Sequence, residues 1–154
     1  MAEQDGLTGI FNRRSFENDL ERRIMEDTLT LIIFDIDYFK AINDEYGHQS
    51  GDQVLQRLAS TVRSKLRETD YFYRIGGEEF AILTQTNRSE EIEILLNRLQ
   101  NTVADIDFGI GKAVYISIGA SHKQAGETST LLFKRVDNAL YKAKENGRNC
   151  FVIE

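Results

Sequence analysis

The stretch Gly76-Gly77-Glu78-Glu79-Phe80 sets two glycines against two carboxylates, with strand-like runs from Tyr71 to Ile75 before it and from Phe80 to Leu83 after it. It therefore reads as a hairpin tip. Glycine lets backbone approach a bulky polyanion closely, and an adjacent acid can hold the divalent metal that such an anion carries. The chemistry this points to is that of nucleoside triphosphates. A second acidic pair lies upstream, where the apolar run Leu29 to Phe34 ends in Asp35-Ile36-Asp37. Residues two apart in a strand share a side, so both carboxylates emerge together at the strand's C-terminal end, where open sheets commonly bind ligands. A lone Asp-x-Asp is usually a pair of solvated loop acids. Paired beside the hairpin, however, Asp35 comes close to Glu78, and two or three acids with a backbone carbonyl suit Mg²⁺. Like charges gathered in this way need a cation to offset their repulsion.

The elements that must position these acids follow from apolar spacing. Phe16, Leu20 and Ile24 recur at helical intervals after a cap at Asn12, and Leu29 to Phe34 reads as a strand buried on both faces. Val54, Leu55, Leu58, Val62 and Leu66 mark a helix before the hairpin. Ile92, Leu95, Leu96, Leu99 and Val103 mark one after it, with Ser89 as its cap and Glu90 and Glu91 in its first turn. Alternation at Val114, Ile116 and Ile118 predicts a strand; a helix over about Ser129 to Glu145 stops at Asn146-Gly147, and a strand at Cys150 to Ile153 closes the chain. Strand, helix, two hairpinned strands, helix, strand is the split βαβ order, so the expected class is α+β, a ferredoxin-like sheet flanked by helices.

Composition bounds the rest. The chain has 154 residues, a size for one domain with a core of its own. The single cysteine, Cys150, forms no internal disulfide, and neither a cleavable apolar leader nor an apolar run near membrane-spanning length is present, so a cytoplasmic domain without membrane contact is expected. A net charge of −6 argues against nucleic acid as partner, so a polyanionic substrate must find a local basic pocket. His48 and His122 lack partners at metal-ligand spacing, and Gly109-Ile110-Gly111-Lys112 lacks the spacing of a P-loop and reads as a turn.

Four blocks carry a resemblance: Asp5-Gly6-Leu7-Thr8-Gly9-Ile10-Phe11-Asn12-Arg13-Arg14; Phe34 to His48 running on into Gly51-Asp52; the Gly-Gly hairpin; and Ala139 to Lys144 with Gly147-Arg148-Asn149. In this order they closely resemble the bacterial GGDEF domain, the diguanylate cyclase family, over residues 5 to 154, with Glu in place of Asp at the third hairpin position. The resemblance implies a palm-like fold shared with nucleotide cyclases and some polymerases, and a single GGDEF domain over residues 1–154, the output part of a longer sensory protein. It implies condensation of two GTP into cyclic di-GMP with loss of pyrophosphate, in a transient homodimer that opposes two hairpins.

By the same resemblance Asp35, the Ile36 carbonyl and Glu78 are the ligands of Mg²⁺, with Mn²⁺ as alternative; Asp35, Glu78 and Glu79 are the catalytic acids, Glu78 being the one that assists deprotonation of the 3′-hydroxyl or simply ligates the ion, and Asp37 reads as structural. The Gly76 and Gly77 backbone would lie against the α-phosphate and ribose. Asn43 and Asp52 match the guanine-contacting positions, an amide and a carboxylate that complement guanine's edges, with Leu55 packing on the base and Asp52 also able to cap the helix after Gly51. Lys40, Lys144 and Arg148 match triphosphate-binding positions, and N–H groups around Tyr38 and Phe39 would cradle the terminal phosphate. Arg67-Glu68-Thr69-Asp70 stands where the family carries its product-inhibition motif: Arg67 would grip guanine's acceptors and Asp70 its donors, with Arg98 of a neighbouring subunit completing the site. Taken alone, that string is usually a surface ion pair.

Overall fold

The computed structural model describes residues 3–86 and 88–154. Its elements, in chain order, are α1 (Arg13–Arg23), β1 (Thr30–Ile36), α2 (Phe39–Tyr46), α3 (His48–Lys65), β2 (Tyr71–Arg74), β3 (Glu79–Thr84), α4 (Ser89–Ala104), β4 (Ile116–His122), α5 (Ser129–Glu145) and β5 (Phe151–Ile153). The described strands form one sheet in the order β2-β3-β1-β4-β5. β1 runs antiparallel to both β3 and β4, and β2 antiparallel to β3, so β1 and β2 are parallel with β3 between them. That is the split βαβ arrangement expected from the element order. The crossover through α5 adds β5 parallel to β4 at the edge.

Every residue of β1 is buried. Strand alternation sends Leu31 and Ile33 to one face, where they meet Phe16, Leu20, Leu132, Val136 and Leu140 of α1 and α5. Ile32, Phe34 and Ile36 go to the other, against side chains of α2, α3 and α4. There Phe34, Phe72 and Phe80 stack, with ring centroids 5.2 to 6.1 Å apart. At Gly119 of β4 a Cβ would lie 2.4 Å from the Leu140 amide nitrogen and 2.5 Å from the Val136 oxygen, so α5 rests its backbone directly on the sheet. Along the outer edge of β2, the Phe11 N–H donates to the Phe72 oxygen (3.3 Å) and the Phe11 oxygen accepts from the Arg74 N–H (2.8 Å).

Several boundaries differ from the sequence reading. Asn12 does cap α1, accepting from the Ser15 N–H at 3.0 Å, and α5 does stop at Asn146 with Gly147 at φ 107°. Phe39–Tyr46, however, forms a helix of its own, cut from α3 by Gly47 at φ 91°. Because α3 starts at His48, Asp52 sits within the helix and is not its cap. Ser89 is the first helical residue of α4, and Arg88 holds the cap position without a side-chain bond. Val114 is buried but precedes β4, and β5 begins at Phe151, one residue after Cys150. Gly109 and Gly111, at φ 76° and 75°, confirm a turn there. No described helix is long and apolar enough to cross a membrane.

Candidate active site

The register of the central strands builds the acidic centre. Asp35 lies opposite Glu79, and the Ile36 N–H donates to the Glu78 oxygen at 3.3 Å, so the hairpin stands beside β1 as expected. Asp35, Ile36 and Glu78 share a cavity of about 420 Å³ with Tyr38, Phe39 and Lys40 from the start of α2. Lys144 and Arg148, from the other end of the chain, close its remaining wall. Asp35 is 7% exposed; Lys144 Nζ pairs with its Oδ2, while its Oδ1 is buried with no hydrogen-bond partner. Burial raises the Asp35 pKa, and the Lys144 pairing offsets this only in part. Glu78 is raised by burial and then by the nearby Asp35 charge, and Glu79 by burial, Asp35 and Asp137.

A buried carboxylate oxygen without a donor, beside a second acid, is the environment a hard cation relieves. Two carboxylates, Asp35 and Glu78, and the Ile36 backbone oxygen could serve such an ion; among the described residues no three His, Cys, Asp or Glu side chains gather into a metal-holding group. Asp37 lines the same cavity, but both of its carboxylate oxygens are already engaged. Its Oδ1 accepts from Ser117 Oγ at 2.6 Å and its Oδ2 from the Asn149 N–H at 2.9 Å, so it is a structural acid that ties the loop after α5 to the end of β1.

Tyr38 begins α2 in the left-handed region (φ 57°, ψ 34°) with no side-chain cap, which leaves the first N–H groups of α2 without intrahelical partners. Their direction suits an anion at the mouth of the cavity. One turn on from Phe39 and facing α3, Asn43 is half-buried with Oδ1 unpaired, and a Cβ on Gly51 would lie 1.8 Å from that oxygen. Glycine at 51 is thus what lets α3 pass so close to Asn43. Asp52 is exposed beside it, but Leu55 is 2% exposed and belongs to the core.

A family model described as "Diguanylate cyclase, GGDEF domain" matches residues 2–150. The chain belongs to the GGDEF domain family. It is 41% identical over 97% of its length to YhcK of Bacillus subtilis, of which it covers 45%. It is 39% identical over 96% of its length to the diguanylate cyclase DgcM of Escherichia coli, of which it covers 37%. This GGDEF domain therefore spans less than half the length of these relatives. Among solved structures, the GGDEF domain of DgcB from Caulobacter crescentus, in complex with c-di-GMP, is similar at TM-score 0.93 and 32% identity, covering 99% of this chain and 93% of that one. The diguanylate cyclase SiaD from Pseudomonas aeruginosa, in complex with its activator SiaC, is similar at TM-score 0.92 and 35% identity, covering 99% and 62%.

Two arginines that the sequence reading passed over hold the GGDEF hairpin. Arg74 donates from Nε and Nη2 to the Gly77 oxygen (3.1 and 2.8 Å) and from Nη1 to both carboxylate oxygens of Asp5 (3.2 Å each). Burial works to raise the Asp5 pKa, but the Thr8 bonds and Arg74 outweigh it and leave it lowered. Arg13 Nη1 donates to the Ile75 oxygen at 2.9 Å. Neither Gly76 nor Gly77 adopts a left-handed φ, and a Cβ on Gly77 would meet nothing within 4 Å. Gly77 therefore supplies open space against the backbone, not an unusual turn, while at Gly76 a Cβ would come within 3.3 Å of the Glu79 Cβ. The clamp's only sequence signal was an arginine two residues before the glycines and an aspartate near the start.

Arg67 and Asp70 are brought together: Arg67 Nε lies 3.7 Å from Asp70 Oδ2, which also accepts from the Arg67 N–H at 3.0 Å. The Arg67 side chain is 64% exposed and that of Asp70 1%, with Asp70 Oδ1 buried and unpaired. Both line a cavity of about 330 Å³ with Arg63. Arg98 lines a different groove, between α3 and α4 with Lys65 and Asp105.

Proposed function

We propose that this domain is a diguanylate cyclase: each of two GTP molecules offers its 3′-hydroxyl to the α-phosphate of the other, giving cyclic di-GMP and two pyrophosphates. The observation that carries the reading is the buried, donor-less Asp35 Oδ1 beside Glu78, in a cavity whose other walls are Lys40, Lys144 and Arg148. Asp35, the Ile36 carbonyl and Glu78 would hold Mg²⁺, or Mn²⁺ in its place. When bound, such an ion lowers the hydroxyl's pKa and offsets charge on the leaving group. Lys144 would then exchange Asp35 for phosphate oxygens, with Lys40 and Arg148 beside it, while the first N–H groups of α2 take the terminal phosphate. Glu78, with its raised pKa, is suited to accept the hydroxyl proton, and Glu79 adds negative charge next to it. Asn43 and Asp52 present an amide and a carboxylate to guanine.

The family, and DgcB's structure with c-di-GMP, support the reading of Arg67 and Asp70 as a product site. Asp70 Oδ1 lacks a donor and guanine N1–H and N2–H supply two. Arg98, in its separate groove, would complete that site only from a neighbouring protomer. We assign residues 1–154 as one catalytic domain of a longer cytoplasmic signalling protein, acting as a transient homodimer, with neither nucleic acid nor membrane as its partner. Incubation with GTP and Mg²⁺, with ATP in parallel, followed by chromatography, is the test. Cyclic di-GMP formed from GTP alone is the expected result; absence of product at protein concentrations high enough to dimerise would refute the activity.

A further inference from the structure

Three non-glycine residues among those described adopt left-handed backbone: Tyr38 (φ 57°), Arg148 (φ 66°) and Asn149 (φ 48°). Side chains beyond glycine rarely do so, and such residues gather where a site needs a particular orientation. These three come from opposite ends of the sequence and meet at one place. The Arg148 guanidinium carbon lies 4.8 Å from the centre of the Tyr38 ring. The Asn149 N–H donates to Asp37, the residue before Tyr38. Tyr38 is 66% exposed, so burial does not hold its ring in place. Its backbone conformation aims it.

We infer that Tyr38 is a positioning residue: its ring is a cation–π platform that holds the Arg148 guanidinium at the mouth of the cavity, and so sets the affinity for the phosphate chain of the nucleotide. The inference rests on the triphosphate reading of that cavity. An arginine on a mobile loop would lose rotamer freedom on binding, whereas a stacked one has lost it beforehand. Stacking covers the flat face of the guanidinium and leaves its N–H edges free to donate to phosphate oxygens. Tyr38 also begins α2, whose first N–H groups face the same cavity, so the two phosphate holders are fixed by one residue.

The experiment is calorimetric titration of a nonhydrolysable GTP analogue, of inorganic tripolyphosphate and of guanosine into wild type, Tyr38→Leu, Tyr38→Phe, Arg148→Ala and the double variant Tyr38→Leu/Arg148→Ala, with steady-state kinetics alongside. Tyr38→Leu is expected to weaken the analogue and tripolyphosphate about two- to fivefold, the range of an exposed cation–π contact, with guanosine unaffected. KM should rise more than kcat falls, Tyr38→Phe should recover the loss, and Tyr38→Leu should cost nothing further once Arg148 is gone. Should Tyr38→Leu fold poorly, Tyr38→Gly, which suits a left-handed position, carries the same expectation. Wild-type affinity in the leucine and glycine variants, or an undiminished loss in the Arg148→Ala background, overturns the inference and leaves the cyclase reading intact. A wild type that binds neither GTP analogue nor tripolyphosphate overturns both.

Discussion

Asp35, Glu78 and Glu79 hold protons more tightly than ordinary carboxylates: burial is the first cause for all three, the Asp35 charge is the next for Glu78 and Glu79, and at Asp35 itself Lys144 offsets only part of the burial. A carboxylate whose pKa is raised by folding makes its contribution to stability in full below its unfolded pKa and loses it as pH rises through the folded value. The charge that the chemistry needs at neutral pH therefore works against the fold, and turnover should decline on acidification as these groups take up protons. Asp5 and Glu127, whose pKa values are lowered, carry the opposite sign and lose stability as pH falls. Comparing a variant with wild type cancels them. Glu78→Gln is expected to abolish turnover while melting, at neutral pH, no lower than wild type, with the difference between the two shrinking in acid. Thermal melts over a pH series and a GTP assay check this; activity within about threefold of wild type would remove Glu78 from the central role, since a lost metal ligand costs several kcal/mol of transition-state stabilisation. The types and order of these acids were legible in the sequence, because strand alternation fixes the side on which Asp35 emerges. The partners Ser117 and Gly51 were not, because which side chain lands opposite Asp37 or Asn43 depends on register and helix crossing.

At the scale of the element, the hairpin is short and held by its carbonyls. Arg74 joins Gly77 to Asp5 with both members of the ion pair mostly buried, at 18% and 19% side-chain exposure. Arg74→Ala leaves the Asp5 carboxylate with only its Thr8 partners and frees the tip, so a loss of about 1–3 kcal/mol in stability is expected. Faster amide exchange at Gly76, Gly77 and Glu78, with a larger fall in kcat than rise in KM, would show that the clamp positions the acids; unchanged exchange would show that β2–β3 pairing suffices. Arg74→Lys should not recover the loss, because one ammonium cannot span two acceptors as the guanidinium fork does. The long elements were legible because each repeats its apolar period several times. α2 was not: with eight residues and buried Phe39 and Ile42 alone to mark a face, it carries too little period to distinguish from loop. Ser89 misled because a cap is a backbone geometry, and the chain turns one residue earlier.

For the whole molecule, a cavity of about 420 Å³ has room for one nucleotide of the proposed substrate, whereas cyclic di-GMP joins two. On the proposed cyclase reading two protomers would oppose their hairpins about a twofold axis, so specific activity should rise with protein concentration across the micromolar range. A flat dependence without an independently shown stable dimer would contradict this. The second cavity supplies the feedback expectation. On the proposed product-site reading, Arg67→Ala would remove a charge-assisted contact to guanine worth ~1–3 kcal/mol, so product inhibition should loosen about ten- to hundredfold, read as a shift of the inhibition curve. Inhibition unchanged in the variant would reduce Arg67 and Asp70 to an ion pair. The topology was legible from element order, but the grouping of Arg98 was not, since its distance from Arg67 depends on how α4 lies across α3.

The segment around Phe11 spends its amide and its carbonyl on β2, on the side where no other described strand pairs. Bare sheet edges recruit other chains, and proteins commonly blunt them. Here the blunting is done by the same ten residues that anchor the hairpin through Asp5. Loss of residues 3–12 would thus do more than slacken a catalytic loop. It would expose a sticky border and leave the domain prone to stack edge to edge.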